Sequence, residues 1–114
     1  MTDQQPPTVE ADPCVRADDA LVRAFDLLGK RWTGVLLGTM VGGPAGFRAI
    51  SRAVEGISDS VLSDRLSELC EAGVLSRHVE DGPPVSVAYE LTNAGRALLP
   101  ALEQIGLWAQ EHLR

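Results

Sequence analysis

The feature that most constrains this chain is the stretch over residues 56–75, taken with the hairpin signal that follows it. Ser58 stands where its hydroxyl can accept a backbone N–H of a first helical turn. Leu62, Leu66 and Leu69 recur at i, i+4 and i+7, which places them on one apolar stripe of a helix. Gly73 falls where that helix has to stop, because glycine enters the left-handed conformation without a steric penalty. The opposite face carries Ser60, Ser63, Asp64 and Ser67, all short and polar. A short helix with one buried stripe and a row of small hydrogen-bonding side chains suits a DNA major groove, where base edges present donors and acceptors. Its charge is the awkward part: Asp59, Asp64, Glu68 and Glu71 outnumber Arg65.

The rest of the chain supplies a frame for such a helix. Residues 1–12 are polar with two prolines and read as a disordered arm, leaving residues 13–114 as one domain. A first helix is expected over residues 17–28, with Leu21, Phe25 and Leu28 on one face, followed by a turn at Gly29-Lys30-Arg31-Trp32. Thr33 is placed to cap a second helix over residues 35–41, which is apolar on most sides and so reads as the buried centre. After the Gly42-Gly43-Pro44-Ala45-Gly46 breaker, Phe47, Ile50 and Val54 outline a short third helix. Residues 75–79 and 85–91 read as two strands of a hairpin with an alternating face, joined through Gly82-Pro83-Pro84. Thr92 can cap a last helix to about His112, in which Leu98, Leu102, Ile105 and Ala109 form a stripe flanked by Leu99 and Trp108. Pro100 lies well inside it and is expected to bend it. The order is that of a winged helix-turn-helix: an α+β, mostly α fold with a two-stranded wing and a long C-terminal dimerisation helix. A plain helical bundle has no use for a short two-stranded insert before its last helix.

Charge narrows the function classes. The chain has 114 residues and a net charge of −6, which taken alone opposes nucleic acid. The distribution is uneven: residues 21–56 carry five bases and two acids, a net of +3, just ahead of the candidate reading helix. No apolar run approaches the roughly 18–20 residues that cross a bilayer, and the polar start is no signal peptide, so a cytoplasmic protein is expected. Cys14 and Cys70 are far apart with no secretion signal, which argues against a structural disulfide. His78 and His112 lack ligand-spaced companions, and no nucleophile–base pair or carboxylate pair is visible. Neither an enzyme, a metal site nor a cofactor is expected.

From about Cys14 to Ala109 the chain resembles the HxlR-type bacterial transcription regulators, relatives of MarR-like winged-helix proteins. The resemblance rests on Cys14-Val15 with Ala24-Phe25-Asp26-Leu27-Leu28-Gly29, then Gly29-Lys30-Arg31-Trp32-Thr33, then Gly43-Pro44-Ala45-Gly46-Phe47. It continues in Ile57-Ser58, Leu62, Arg65-Leu66, Leu69 and Gly73-Val74-Leu75, and in Pro83-Pro84 and Tyr89-Glu90-Leu91-Thr92. Each motif is weak alone; the set in this order is specific. The resemblance implies a homodimer held by the first and last helices (Leu21, Phe25, Leu98, Leu102, Ile105, Trp108), bound to a palindromic double-stranded DNA operator. It also implies that Cys14 is a candidate sensor of oxidants or electrophiles. The chain departs from the family pattern at Asp59-Ser60, where Gln-Lys is common, and at Asp64, where Gln is frequent. Val85 and Ser86 follow the wing prolines where an arginine often stands, and Val15 replaces a proline after Cys14.

Individual residues carry competing readings. Arg65 can reach a phosphate or a guanine edge, or can form an ion pair with Glu68, Asp64 or a neighbouring helix. Arg48 and Arg52 are four apart and share a helix face, either as phosphate clamps or as a solvated surface. Ser58 is better explained as a cap than as a DNA contact, whereas Ser60 and Ser63 are candidates for base or phosphate contact. Asp64 can accept from a cytosine amino group. Arg77 opens the wing within reach of the DNA backbone, and Trp32 reads as core rather than a stacking platform. At Cys14 the neighbouring Asp12, Asp18 and Asp19 disfavour the thiolate, which Arg16 favours only partly. Cys70 reads as a half-buried, inert thiol. Two other functions stay open: a winged-helix module for protein partners, which acidic helix positions would suit, and a small-molecule-binding regulator with weak DNA affinity.

Overall fold

A computed structural model describes residues 18–114, which fall into two units divided after Lys30. The arm over residues 1–12 and Cys14 lie outside the described residues. In the first unit, helix α1 (Asp19–Leu28) starts where the Asp18 carboxylate accepts the N–H groups of Ala20 at 2.8 Å and Leu21 at 3.3 Å. That cap sets the first turn, so the helix begins at Asp19 rather than at residue 17. Leu21, Val22 and Phe25 remain exposed on it.

The second unit opens within the turn expected over residues 29–32, at a left-handed residue that no sequence pattern announces. Trp32 takes φ 83°, a left-handed conformation rare outside glycine, and its carbonyl receives the first helical hydrogen bond from Leu36 at 2.8 Å. Helix α2 (Thr33–Gly38) therefore starts two residues before the expected residue 35: Thr33 is its buried first residue, not its cap, and Trp32 supplies no side-chain cap. The segment expected as the buried centre is buried on one side only. Leu36, Leu37 and Met40 are core, whereas Val35 and Val41 point outward.

Strand β1 (Ala45–Gly46) precedes helix α3 (Phe47–Ala53), and helix α4 (Asp59–Glu71) leads into strands β2 (Leu75–Glu80) and β3 (Ser86–Leu91). The sheet is antiparallel in the order β1-β3-β2, so the wing hairpin gains a third, two-residue strand. Ala45 pairs with Tyr89 and Gly46 with Ala88, which ties the start of α3 to the hairpin. The alternating face expected for the hairpin holds only at its base. Leu75 and Leu91 face each other and are buried, whereas residues 77–86 are all exposed.

The core is made of the α4 stripe, Leu62, Leu66 and Leu69, together with Leu36, Leu37 and Met40 and with Ile50 and Val54, all of them buried. Both ends of α4 follow the sequence logic. Ser58 Oγ accepts the Val61 N–H at 3.1 Å. At the other end, Gly73 takes φ 80°, its N–H reaches the Cys70 carbonyl at 3.1 Å, and the Val74 N–H reaches that of Leu69 at 3.0 Å. These two bonds satisfy carbonyls that a helix end otherwise leaves open.

Helix α5 (Asn93–His112) starts on the same junction and runs through Pro100 as one element. The Thr92 hydroxyl accepts the Gly95 N–H at 3.2 Å and faces the carbonyls of Gly73 at 2.6 Å and Val74 at 3.1 Å. One side chain thereby fastens the end of α4, the base of β2 and the first turn of α5. Thr92→Ala is expected to lower unfolding free energy by about 1–2 kcal/mol, read from urea denaturation. Among the described residues no helix is long and apolar enough to cross a membrane.

Candidate nucleic-acid interface

With its leucines buried, α4 turns Ser60, Ser63, Asp64 and Ser67 outward, and all four are exposed. This is the row that the spacing puts on one face. Ser58 acts as the cap.

Arg65 lies beside this face but is only 19% exposed at its side chain. Its Nε donates to the Arg31 carbonyl at 3.1 Å and its Nη1 to Glu68 at 3.2 Å. The guanidinium therefore braces α4 against the turn before α2. Arg31 in turn lies over the Trp32 ring at 4.7 Å, and Trp32 is half-buried.

Arg48 and Arg52 project from α3 as expected, and both are exposed. Their surroundings differ. Arg48 makes a two-pronged bridge to Asp59 in the first turn of α4, at 3.1 and 2.9 Å. Arg52 pairs with no described residue. Arg77 is exposed on β2, opposite Tyr89, and its charge acts on Cys70 near the C-terminal end of α4. The three arginines are thus not one patch: Arg48 joins the first turn of α4 and Arg77 lies near its last, positions about 16 Å apart along a helix of this rise.

Two acidic residues have partners that the sequence gives no sign of. Asp59 stands out there only as a departure from the family pattern, and its partner lies 11 positions away. Glu90 forms an ion pair with Arg96 at 3.5 Å and faces His78 Nε2 at 3.3 Å, joining the wing to α5. Cys70 is half-buried. Burial pushes its thiol up, Arg77 opposes this in part, and the net shift favours the protonated, unreactive form.

The residues expected to pair two copies divide along the chain. Leu98 and Leu102 are half-buried, whereas Ile105 and Trp108 are about half exposed, as are Leu21 and Phe25 on α1. A groove of about 600 Å³ runs between α2 and α5, walled by Gly34, Gly38, Leu99, Pro100 and Leu102, with Arg96 and Glu103 as its charged residues. Among the described residues no three His, Cys, Asp or Glu side chains are grouped to hold a metal ion.

Known proteins place this geometry in a family. The HTH-type transcriptional regulator YvaP of Bacillus subtilis is 40% identical over 89 residues, covering 78% of this chain and 82% of that protein. YodB of the same organism, also an HTH-type transcriptional regulator, is 38% identical over 88 residues, covering 77% and 79%. The structure of reduced YodB superposes with a TM-score of 0.78 over 87% of this chain and 97% of that one, at 33% identity. YodB has also been solved diamide-treated and quinone-bound. The reduced form of the redox regulator HypR superposes with a TM-score of 0.76 at 30% identity, covering 81% and 91%. Residues 27–114 match the model of the HxlR-like helix-turn-helix proteins, and the chain belongs to that family, with the winged helix-turn-helix fold that its elements spell out.

Proposed function

We propose that this chain is a cytoplasmic transcriptional regulator that binds a palindromic DNA operator as a homodimer. The observation that carries the reading is α4 itself: a capped helix anchored by Leu62, Leu66 and Leu69 that presents Ser60, Ser63 and Asp64 to solvent. In the major groove those short side chains reach base edges, while Arg48, Arg52 and Arg77 reach backbone phosphates on either side. Arg65 supports the helix from within, keeping α4 at a fixed angle to α2. The exposed Leu21 and Phe25 of α1 and Ile105, Leu107 and Trp108 of α5 supply the apolar surface of a two-fold interface. A two-fold dimer presents two equivalent reading helices, hence a palindromic site. The groove between α2 and α5 supports a further regulatory reading, in which a small apolar effector binds there.

Selection of bound duplexes from random DNA, with and without diamide, tests the core reading. Recovery of an inverted repeat is expected; recovery of nothing at low salt would favour a module for protein partners. Ser60→Ala and Ser63→Ala are expected to relax base preference, by about 1 kcal/mol at the position each one touches.

Cys14 is proposed as the sensor, by analogy with the redox regulator HypR and with YodB, which has diamide-treated and quinone-bound forms. Oxidation or alkylation of the thiol changes dimer geometry and so the spacing of the two α4 helices. Diamide should release the wild-type protein from its operator and leave Cys14→Ser bound. If both proteins dissociate alike, Cys14 is not the sensor.

A further inference from the structure

The bridge between Arg48 and Asp59 joins the two helices of the motif on the surface proposed to meet DNA. Arg48 Nη1 donates to Asp59 Oδ1 at 3.1 Å and Nη2 to Oδ2 at 2.9 Å, the parallel fork that a guanidinium makes with a carboxylate. Asp59 sits in the first turn of α4, where open backbone N–H groups favour an anion. The helix end favours the carboxylate's charge, and Arg48 comes to it across the turn.

This pair is not what holds α3 to α4. The side chains are 68% and 57% exposed, and bridges so wetted add little to stability. Ile50 and Val54 of α3, and Ile57 and Leu62 at the turn and start of α4, are buried in the core whether or not the bridge forms. What the bridge does is occupy a donor. A phosphate and a carboxylate ask for the same two N–H groups of a guanidinium, in the same plane. Arg52, one turn further along α3, is paired with no carboxylate among the described residues.

We propose that Asp59 is an internal competitor for DNA phosphate: it holds Arg48 in the free protein and so lowers the protein's affinity for its operator. The inference rests on the DNA-binding reading above. It makes residue 59 a setting of affinity, separate from the serines that read sequence. An acidic first turn then has a definite role, the masking of one named arginine, rather than a diffuse repulsion.

A two-by-two cycle separates masking from plain repulsion. Affinities for the selected duplex are measured by fluorescence anisotropy at one fixed salt concentration for the wild type, Asp59→Asn, Arg48→Gln and the double variant. Asp59→Asn is expected to bind about three- to fivefold more tightly when Arg48 is present, and less than about 1.5-fold more tightly when Arg48 is glutamine. In an Arg52→Gln background the full gain should persist. Equal gains with and without Arg48 would mean that Asp59 acts only as a nearby negative charge, and would overturn the proposal. Absence of any gain would overturn it too. Circular dichroism checks that each variant is folded; Asp59→Ser, which keeps a side chain suited to a helix start, replaces Asp59→Asn if that substitution unfolds the protein, and Arg48→Lys, which keeps the charge but not the fork, stands in for Arg48→Gln. A wild type that binds no duplex at low salt removes the DNA-binding reading itself. A wild type that binds but shows no coupling between residues 48 and 59 removes only the competition.

Discussion

Replacing Arg48, Arg52 and Arg77 together with glutamine is expected to weaken operator binding by about 100- to 1,000-fold and to flatten its salt dependence. The log–log slope should fall by about 0.9 for each phosphate that is no longer neutralised. The chain carries a net charge of −6, and the exposed face of α4 adds Asp64 and no free base. Arg65, the one base within α4, is turned inward onto Arg31 and Glu68. On the proposed function, phosphate attraction has to come from arginines outside α4, on α3 and β2, and the proposed two-fold dimer would present each of them twice. Ser60→Ala and Ser63→Ala should leave the slope unchanged, since a hydroxyl releases no counterion. All three arginines are exposed, so the triple variant should melt within a few degrees of the wild type. Titrations at several salt concentrations check this; an unchanged slope would mean that other residues hold the phosphates, and the assignment would fail.

Gly95→Ala is expected to destabilise the fold by about 3 kcal/mol, although alanine is the better helix former by about 1 kcal/mol. Gly95 is buried in the first turn of α5. A Cβ there would run into the Val74 carbonyl oxygen and stand 2.9 Å from Leu91 Cδ2. The first of these neighbours is backbone and cannot swing away. It also accepts the Thr92 N–H at 3.0 Å, so moving it breaks the junction of α4, β2 and α5. Steric exclusion thus outweighs helix propensity. Gly106, in the same helix, has nothing within 4 Å of where a methyl group would stand, and Gly106→Ala should instead stabilise by about 0.5–1 kcal/mol. Urea unfolding of the two variants should give opposite signs. A stable Gly95→Ala protein would show that α5 can shift off the hairpin, contrary to the packing described.

The parts of the molecule legible in the sequence are those written in short-range patterns. The α4 stripe, the Ser58 and Thr92 caps and the Gly73 stop all stand where their spacing puts them, because each depends on residues within about four positions. Strand β1 is not legible. Two residues have no periodicity, and Ala45 and Gly46 are a strand only because Tyr89 and Ala88 lie beside them. Nor is the start of α2, because the left-handed turn at Trp32 belongs to a residue type that rarely adopts it.

The candidate interface divides the same way. Its residue types and their helix faces follow from spacing: Ser60, Ser63 and Asp64 outward, Leu62 and Leu66 inward. Which arginines are available does not. Arg65 is bound to a carbonyl 34 positions away, Arg48 to a carboxylate 11 positions away, and Arg52 to nothing described. The order of residues was enough to specify the helices, their caps and the winged arrangement, because hydrogen bonding and amphipathic spacing within an element are local. Which charges are paired within the protein and which face solvent was settled only on folding, because ion pairing depends on distances that packing sets between elements remote in the chain.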